Sequence, residues 1–464
     1  MPSTQIKRVL VANRGEIALR IIEACRKAEI ETVVAASLAD LDSLPARKAD
    51  RVVCIGPPSA AESYLNQSAV ITAAVMTGCD AIHPGYGFLA ERPDFAEACE
   101  EAGLVFIGPS PNILRLFGDK VSARSAAENA GVPFSAGSRE LESVDDAVAV
   151  AEGLGFPVLL KPVRGGGGKG MRVAADADAV REGYSIAGQE GSAAFGDGGL
   201  YMEKWITNAR HVEVQVAGDG HGNVVHFGDR DCSVQRRQQK LIEEAPAPGL
   251  PPALQAAIRE SAVSLCKSVG YDSVGTVEFL VDVETEEYWF LEVNPRIQVE
   301  HGVTELVTGA DLVGLQIRLA SGETMPWRQE DVKIMGVAIE CRVNAEDPNN
   351  DFRPSPGRIL NWSPPTHAGV RIDSHCETGY LVPPFYDSLI AKIMAYADDR
   401  ESAIALLDGA LEQFECEGIF TTSELAQWVL RHDDFRALKQ HTKWLDMTLE
   451  SALKTSIDNK EKSE

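Results

Sequence analysis

The feature that most constrains the fold is the segment of residues 290–305, which reads FLEVNPRIQVEHGVTE. Its apolar and polar residues alternate, which predicts a β-strand with Glu292 and Asn294 on one face. A second β-branched run, GTVEFLVDV, precedes it and carries Glu278. If the two strands pair, Glu278 faces Glu292 across the ladder. Oxygen donors placed together in this way suit Mg²⁺, a hard cation that is usually held by one or two carboxylates.

The main alternative for this segment is an exposed strand whose acids are solvated. That alternative does not account for Arg296, Gln298 and Glu300, which continue in the same register. We therefore favour a ligand site over a solvated strand.

Length, charge and cysteine usage limit the class of protein. The 464 residues suffice for roughly three structural units at about 150 residues each. A formal charge of −25 repels nucleic acid and anionic membranes, so neither is an expected partner. The nine cysteines show no CxxC spacing, which argues against zinc sites and disulfide frameworks.

The apolar runs of the chain are short. The longest are broken by Glu, Gly or Pro before the roughly 18 residues that a membrane span needs. The N-terminus passes from one basic pair directly into a predicted strand, without the apolar segment of a secretion signal. A cytoplasmic protein is therefore expected.

Strands and helices alternate in the N-terminal part. Residues 8–12, 16–28 and 31–36 are predicted as strand, helix and strand, and the alternation ends near Ile107. This order predicts a parallel sheet, but GxGxxG is absent, so a dinucleotide site has little support. The turn HPGYGF follows a strand, where open α/β sheets bind ligands. Taken as a lone pattern, it is more often a tight turn with a packed aromatic ring.

A glycine-rich run, GGGGKG, follows an apolar strand that ends at Lys161. Its backbone can approach phosphate oxygens closely and move as a lid. It is not a Walker A loop, because Lys169 is followed by Gly170 and not by Ser or Thr. A flexible linker is the alternative, but the flanking strands favour a β-hairpin lid.

Clustered cations in so acidic a chain indicate anion binding. Arg230, Arg236, Arg237 and Lys240 form the densest basic patch, and we favour bound anions over a solvated loop. Arg342 stands in the middle of an apolar strand, so it either pairs with a structural acid or faces a ligand.

Taken together, the motifs resemble the ATP-grasp family and, within it, biotin carboxylase. The resemblance reaches to about residue 445 and rests on HPGYGF, GDK, GGGGKGMR, MEK, RHVEVQV, RDCSVQRR, EEAPAPG, GTVEFL, NPRIQVEH and ECRVNAEDP. It implies an α/β fold with ATP between a lid and a C-terminal domain. The expected units are an N-terminal parallel-sheet domain (1–107), a helical linker (108–133), a glycine-rich lid domain (134–206), a larger α+β C-terminal domain (207–450) and a disordered tail (451–464).

The resemblance also implies roles for individual residues. Those implied for ATP are Lys120, Lys161, Gly167, Gly168, Glu203, Lys204, Trp205, Ile206, His211, Gln238, Glu278 and Glu292. Those implied for Mg²⁺ or Mn²⁺ are Glu278, Glu292 and Asn294, those for bicarbonate are Lys240, Arg296 and Val299, and those for biotin are Tyr86 and Arg342. Glu300 is the implied general base, and Lys240, Arg296 and Arg342 complete the catalytic set.

The implied reaction forms carboxyphosphate from ATP and bicarbonate and then carboxylates biotin. The chain contains no Met-Lys-Met biotinyl motif, so biotin is expected on a separate carrier protein. A carboxyltransferase subunit is a further expected partner. The resemblance also implies a homodimer with its interface on the C-terminal domain and around Arg20.

The chain departs from its family at two positions. The family usually has RRHQK where this chain has RRQQK, so Gln238 replaces a histidine. Arg164 precedes the glycines, which is similar to acyl-CoA carboxylases that take branched substrates. The biotin carboxylase subunit of acetyl-CoA carboxylase is the leading hypothesis, with propionyl-, methylcrotonyl- and pyruvate carboxylases as alternatives. A non-catalytic regulatory subunit is a third hypothesis, against which the complete residue set argues.

The replacement at position 238 predicts weaker ATP binding. A partly charged imidazole supplies a charge-assisted hydrogen bond of about 1.5–3 kcal/mol that a neutral amide does not supply. Gln238→His should therefore lower the Michaelis constant for ATP, and by more at about pH 6.5 than at about pH 8, because imidazole titrates in this range. Steady-state kinetics of both forms at the two pH values measures the effect. Equal constants at the lower pH would make position 238 a packing site or a neutral hydrogen-bond site.

Overall fold

The computed structural model describes residues 5–134, 137, 140–163, 171–195, 198–206 and 208–450. Arg164, Gly167, Gly168 and the predicted tail at 451–464 lie outside the described residues. Within the described ranges, no helix combines the length and the apolar character needed to cross a membrane. The predicted domain boundaries stay predictions, and the sheets are described below in chain order.

The N-terminal part is a parallel sheet of five strands with helices packed on it. Its elements are β1 (Arg8–Val11), α1 (Gly15–Lys27), β2 (Glu31–Ser37), α2 (Leu44–Lys48), β3 (Arg51–Gly56), α3 (Gln67–Thr77), β4 (Ala81–His83), α4 (Pro93–Glu101) and β5 (Val105–Phe106). The strand order is β3-β2-β1-β4-β5, and every pair is parallel. The predicted parallel βαβ architecture is thus confirmed. Because the order reverses at β1 and β4, the loops after these two strands meet at the carboxyl edge of the sheet.

Two helices, α5 (Pro111–Gly118) and α6 (Lys120–Asn129), follow the parallel sheet. The break between them falls at Asp119, whose side chain accepts a hydrogen bond of 2.8 Å from the N–H of Ser122. This confirms the predicted N-cap. It also places Lys120 in the first turn of α6.

The next unit is a small antiparallel sheet. It consists of α7 (Val144–Leu154), β6 (Val158–Pro162), β7 (Arg172–Ala174), α8 (Ala177–Phe195) and β8 (Leu200–Lys204), with the strand order β7-β6-β8. Val158 and Leu160 of β6 belong to the apolar core of this unit. Leu159 and Lys161 therefore point to the opposite face, because side chains alternate along a strand. On that face Leu159 pairs with Glu203 of β8.

The remaining chain is built on a large antiparallel sheet. Its strands are β9 (Arg210–Gly218), β10 (Val224–Arg236), β11 (Gln239–Ala245), β12 (Val274–Asp282), β13 (Glu287–Asn294), β14 (Val337–Asn344), β19 (Val370–Ser374) and β21 (Leu389–Ala397). They form eight adjacent strands in the order β13-β12-β9-β10-β11-β14-β21-β19. The shorter strands are β15 (Glu346–Asp347), β16 (Arg353–Pro354), β17 (Gly357–Arg358), β18 (Asn361–Ser363), β20 (Leu381–Val382) and β22 (Glu415–Glu417), which pair as β15-β16, β17-β20 and β18-β22. The helices are α9 (Pro252–Ser268), α10 (His301–Thr308), α11 (Leu312–Ala320), α12 (Arg400–Gln413), α13 (Ser423–Arg431) and α14 (Asp433–Arg436).

The register of this sheet aligns its acidic residues. Glu278 of β12 lies opposite Glu292 of β13, and Thr276 lies opposite Asn294. The predicted cross-strand pair of carboxylates is therefore confirmed. On its other side, β12 pairs with β9, which places Glu213 opposite Glu278. Three carboxylates thus stand side by side across three strands.

An apolar cluster that includes residues of β14, β21, α12 and α13 stabilises the C-terminal part. Leu407 of α12 is 0% exposed in it, whereas Leu360 is 64% exposed. Leu407→Ala should lower the free energy of unfolding by about 2–5 kcal/mol, because it leaves a cavity. Leu360→Ala is the same chemical change at the surface and should alter that free energy by less than about 0.5 kcal/mol. Denaturant unfolding of both variants measures the difference, and equal losses would contradict the assigned burial.

Candidate active site

A cleft of about 820 Å³ is lined by residues of the parallel sheet, the small sheet and the large sheet and of their connecting loops and helices. The parallel sheet contributes the loops after β1 and β4, the small sheet contributes β6 and β8, and the large sheet contributes β9 and β11 to β14. All predicted site residues within the described ranges line this cleft: Tyr86, Lys120, Lys161, Glu203, Lys204, Trp205, Ile206, His211, Gln238, Lys240, Glu278, Glu292, Asn294, Arg296, Val299, Glu300 and Arg342. Residues far apart in the sequence are thus brought together.

Glu278 is buried and bonded on both carboxylate oxygens. Oε1 accepts hydrogen bonds from Asn294 Nδ2 at 2.8 Å, Gln298 Nε2 at 2.8 Å and Lys240 Nζ at 3.1 Å, and Oε2 lies 3.0 Å from His211 Nε2. Burial favours the neutral acid, but the charges of Lys240 and His211 hold the pKa of Glu278 well below its usual value. Burial likewise opposes a charged His211, yet Glu278 raises the pKa of that imidazole. Glu278 is therefore ionised at neutral pH.

Glu292 stands opposite Glu278 and is open to the cleft. Loss of hydration among the surrounding protein groups and the charge of Glu278 raise the pKa of Glu292 above its ordinary value. A cation between the two carboxylates relieves this repulsion. Glu278, Glu292 and the amide oxygen of Asn294 are hard oxygen donors of the kind that Mg²⁺ and Mn²⁺ take. The residues present therefore fit the predicted metal.

Lys240 joins three buried carboxylates. Its Nζ lies 2.6 Å from Glu213, 3.1 Å from Glu278 and 2.6 Å from Glu300. Burial opposes its charge, but these acids raise the pKa of Lys240 well above its usual value. His211, Glu213 and Glu278 bring donor atoms within 4.8 Å of one another. Lys240 Nζ already bridges Glu213 and Glu278. We therefore assign the cluster of His211, Glu213 and Glu278 to binding the Lys240 ammonium and not to binding a metal ion.

Glu300 is held between two cations. Its Oε1 accepts a hydrogen bond from Lys240 Nζ at 2.6 Å, and its Oε2 accepts one from Arg342 Nη2 at 2.8 Å. Burial favours protonation, but the charges of Lys240, Arg342 and Arg230 hold the pKa of Glu300 well below its usual value. Glu300 is thus a carboxylate of fixed orientation at neutral pH.

Arg342 is shared between two acids. Besides Glu300, it contacts Glu243, whose Oε1 accepts a hydrogen bond of 2.6 Å from Arg342 Nε. Burial raises the pKa of Glu243 to about 7, although the charge of Arg342 acts in the opposite direction. Arg342 also lines the cleft. The hypothesis that Arg342 pairs with structural acids is therefore confirmed, and the hypothesis that it faces a ligand stays a prediction.

The prediction that the basic patch binds anions is wrong for Arg230 and stays a prediction for the other three cations. Arg230 is buried and donates to Glu213, Gln215, Thr276, Gln298 and Thr304. Arg236 and Arg237 pair with Asp351. Of the four cations, Lys240 is the one that lines the cleft. The prediction failed for Arg230 because the charge content of a segment does not tell which of its side chains are bonded within the protein.

Arg296 and Val299 lie on the loop that follows β13. Arg296 donates to Glu91 Oε1 at 2.8 Å and to Asn294 Oδ1 at 3.1 Å. The carbonyl of Val299 accepts a hydrogen bond of 2.7 Å from Lys392 Nζ. These two of the three residues of the predicted bicarbonate pocket are thus held by polar neighbours.

The predicted nucleotide residues on β8 also have partners within the protein. Glu203 Oε2 lies 2.5 Å from Lys161 Nζ. Lys204 Nζ donates to the carbonyls of Gly155 and Phe156 at 2.8 and 3.0 Å. The ammonium of Lys204 therefore stabilises the small sheet, and the aliphatic and backbone atoms of Lys204 can contact a ligand in the cleft.

Gln238 occupies a turn position. Arg237 and Gln238 connect β10 with β11, and Arg236 pairs with Gln239, so the hairpin loop has two residues. Both turn residues are left-handed, with φ of 46° and 68°. Histidine is among the residues enriched in this backbone region, so Gln238→His is compatible with the turn.

Tyr86 is fixed by the N-terminal sheet. Its hydroxyl donates to Glu16 Oε1 in the first turn of α1. Asn13 Nδ2 donates to the carbonyls of Pro84 and Tyr86, each at 2.7 Å. The loops after β1 and β4 therefore form one hydrogen-bonded wall of the cleft.

Several residues of the site were not predicted, among them Asn13, Glu16, Glu213, Glu243 and Lys392. For two of them the sequence carried a usable signal. RHVEVQV alternates as strictly as the segment 290–305 does, which marks Glu213 beside His211. LIAKIMAYA places Lys392 within an apolar strand, the same signal that singled out Arg342.

Three family models match the chain in sequence. "Biotin carboxylase, N-terminal domain" matches residues 5–114. "Carbamoyl-phosphate synthase L chain, ATP binding domain" matches residues 119–328, and "Biotin carboxylase C-terminal domain" matches residues 340–447.

Known proteins match over nearly the whole chain. Biotin carboxylase 1 of Bacillus subtilis (strain 168) is 49% identical over 442 residues, which cover 95% of this chain and 98% of the relative. A biotin carboxylase–beta-gamma-ATP complex from Campylobacter jejuni superposes with a TM-score of 0.91 at 44% identity, covering 96% of this chain and 99% of that one. The biotin carboxylase domain dimer of Hydrogenobacter thermophilus 2-oxoglutarate carboxylase was solved with MgADP, ADP and bicarbonate. It superposes with a TM-score of 0.89 at 43% identity, covering 96% of this chain and 98% of that one. The chain therefore belongs to the biotin carboxylase family, whose members are ATP-grasp ligases.

Proposed function

We propose that this protein carboxylates biotin on a separate carrier protein, with ATP and bicarbonate as the other substrates. The observation that carries the proposal is Glu300, a buried carboxylate held ionised between Lys240 and Arg342. A base is needed there, because bicarbonate must lose a proton as it attacks the γ-phosphate of ATP. The relative from Hydrogenobacter thermophilus, solved with MgADP and bicarbonate, supports the same pair of ligands for this chain.

ATP lies between the small sheet and the large sheet in this proposal. Lys120 and Lys161 contact its phosphates, and the resemblance to the family assigns Gly167 and Gly168, outside the described residues, to ATP binding as well. The adenine and the ribose lie against residues 203–206, His211 and Gln238. Glu278, Glu292 and Asn294 would hold Mg²⁺ or Mn²⁺, which would neutralise phosphate charge.

Bicarbonate binds against Lys240, Arg296 and the backbone of Val299, where two cations balance its charge. One of its oxygens attacks the γ-phosphorus, the bond from that phosphorus to ADP breaks, and Glu300 takes the proton. The products are carboxyphosphate and ADP.

Biotin accepts the carboxyl group in the second step. Carboxyphosphate splits into CO₂ and phosphate, and the phosphate takes the N1′ proton of biotin. N1′ then attacks CO₂ while Arg342 stabilises the negative charge on the ureido oxygen of biotin. Tyr86 lies on the biotin side of the cleft in this assignment, with its hydroxyl held by Glu16.

We propose acetyl-CoA as the final acceptor, so that the chain is the biotin carboxylase subunit of an acetyl-CoA carboxylase in fatty acid synthesis. The support is the Bacillus subtilis relative, a biotin carboxylase of nearly the same length. A second candidate is a 2-oxo acid, because the Hydrogenobacter thermophilus relative belongs to a 2-oxoglutarate carboxylase and another similar structure is the biotin carboxylase subunit of pyruvate carboxylase. Propionyl- and methylcrotonyl-CoA are further alternatives. The carboxyltransferase that co-purifies with the chain distinguishes these acceptors, and a cytoplasmic location is part of the proposal.

Glu300→Gln tests the assigned base. The amide keeps the shape of the side chain but cannot take a proton, so biotin-dependent ATP cleavage should fall by about 10²-fold or more. ATP binding should stay intact, because Glu300 is not among the proposed nucleotide contacts. Because Glu300 is ionised throughout, the wild-type rate should show no loss from its protonation between about pH 6 and pH 8. A variant that keeps more than about a tenth of the wild-type turnover contradicts the assignment.

Glu244→Gln is the matched control for this variant. Glu244 is also buried and paired, with Arg400 Nε at 2.6 Å, but it does not line the cleft. The control should keep its turnover. A wild-type ATPase that responds to neither bicarbonate nor free biotin overturns the proposed function as a whole.

We also propose a homodimer, as the dimeric Hydrogenobacter thermophilus relative indicates. The guanidinium of Arg20 is paired within its own chain, because it lies 2.7 Å from Glu305 and 2.5 Å from Asp311. Light scattering at micromolar concentration should give twice the chain mass of 50.0 kDa. A monomer mass at physiological salt would contradict the proposed homodimer.

A further inference from the structure

Lys392 is a fully buried cation in the middle of an apolar strand. It lies on β21, and its side chain is 0% exposed. Lysine is almost never buried unless it is paired. Replacing a buried ion pair by apolar residues is nevertheless often neutral for stability. Stability is therefore an insufficient reason for a lysine at this position, and the groups that it contacts point to the active site.

The sheet register places Lys392 beside a residue of the cleft. Because β21 pairs with β14 and β19, Lys392 lies opposite Arg342 on one side and opposite Asp373 on the other. Residues that lie opposite one another share a face of the sheet. Arg342 Nη2 donates to Glu300 Oε2 at 2.8 Å, and Lys392 Nζ donates to the carbonyl of Val299 at 2.7 Å. Two neighbouring cations thus hold two consecutive residues of the loop.

The same ammonium is tied to the N-terminal sheet. Glu16 Oε2 lies 3.3 Å from Lys392 Nζ, and Glu16 Oε1 accepts the hydroxyl of Tyr86. Asp373 Oδ2 lies 3.6 Å from Nζ and accepts a hydrogen bond of 2.8 Å from Arg371. Lys392 therefore connects the turn that carries Tyr86 with the loop that follows β13.

We propose that Lys392 is a positioning residue for the carboxylation reaction: it fixes the backbone at Val299, and through Glu16 it couples the bicarbonate pocket to Tyr86 on the biotin side. The inference rests on the proposed function. Lys392 does not line the cleft, so it acts through the residues that it bonds. A misplacement of about 1 Å can cost about 10²-fold in rate, so the loss of this one contact is sufficient to impair the reaction.

Lys392→Met tests the inference, because it removes the ammonium and keeps an unbranched apolar side chain. The Michaelis constant for bicarbonate should rise by about 10-fold or more, and kcat for biotin-dependent ATP cleavage should fall by about 10- to 100-fold. The Michaelis constant for ATP should change by less than about 2-fold, since Lys392 contacts none of the proposed nucleotide residues that the structure describes. If Lys392 had a purely structural role, Lys392→Met would lower the melting temperature and would change the Michaelis constants for bicarbonate and for ATP to the same extent.

Arg400→Met is the matched control. Arg400 also joins a carboxylate to a backbone carbonyl away from the cleft, pairing with Glu244 at 2.6 Å and donating to the carbonyl of Phe435 at 3.0 Å. Its loss should lower the melting temperature and leave the kinetic constants unchanged. If Lys392→Met does not fold, Lys392→Met/Glu16→Gln removes the charge that is left unpaired and is measured in the same assay.

A folded Lys392 variant with wild-type constants for bicarbonate and for biotin-dependent turnover overturns this inference and leaves the proposed function standing. A wild-type protein whose ATP cleavage is independent of bicarbonate and biotin overturns the proposed function instead. The two failures are thus distinguished by the wild-type assay.

Discussion

The centre of the cleft depends on the ammonium of Lys240. Glu213, Glu278 and Glu300 are buried and each lies within about one hydrogen-bond length of it, at 2.6, 3.1 and 2.6 Å. Three carboxylates so close together cannot all ionise in a buried site without a compensating charge. Lys240 supplies part of that charge, and it keeps Glu300 ionised together with Arg342. The proposed base and one proposed metal ligand therefore share one cation.

The large sheet arranges these charges through strand register. Glu292, Glu278, Glu213 and Arg230 lie in one row across β13, β12, β9 and β10. The row is acidic where Glu292 opens to the cleft, and it is neutralised toward its buried end by Arg230. A second row, formed by Arg342, Lys392 and Asp373, crosses β14, β21 and β19. The two rows approach the loop that carries Val299 and Glu300, one through Lys240 and the other through Arg342 and Lys392.

Residue alternation was informative where both partners of a pair lie on strands that are neighbours in sequence. It predicted the pair Glu278 and Glu292, because β12 and β13 are consecutive and form a hairpin. The clustering of cations was misleading for Arg230, which was counted among anion-binding cations although its guanidinium is fully buried against protein groups. Alternation identifies the face of a strand, but it does not tell whether that face meets a ligand or another element.

The sequence by itself determined the parallel N-terminal sheet, the cap at Asp119, the cross-strand acid pair and the biotin carboxylase family, because these depend on local periodicity and on motifs. Only the tertiary structure decided which cations reach the cleft and which hold the scaffold. Lys240 bonds to acids on three distant segments, and Lys392 meets Glu16 and Val299 across two sheets. Such contacts are set by how distant strands and loops pack together, which no local pattern records.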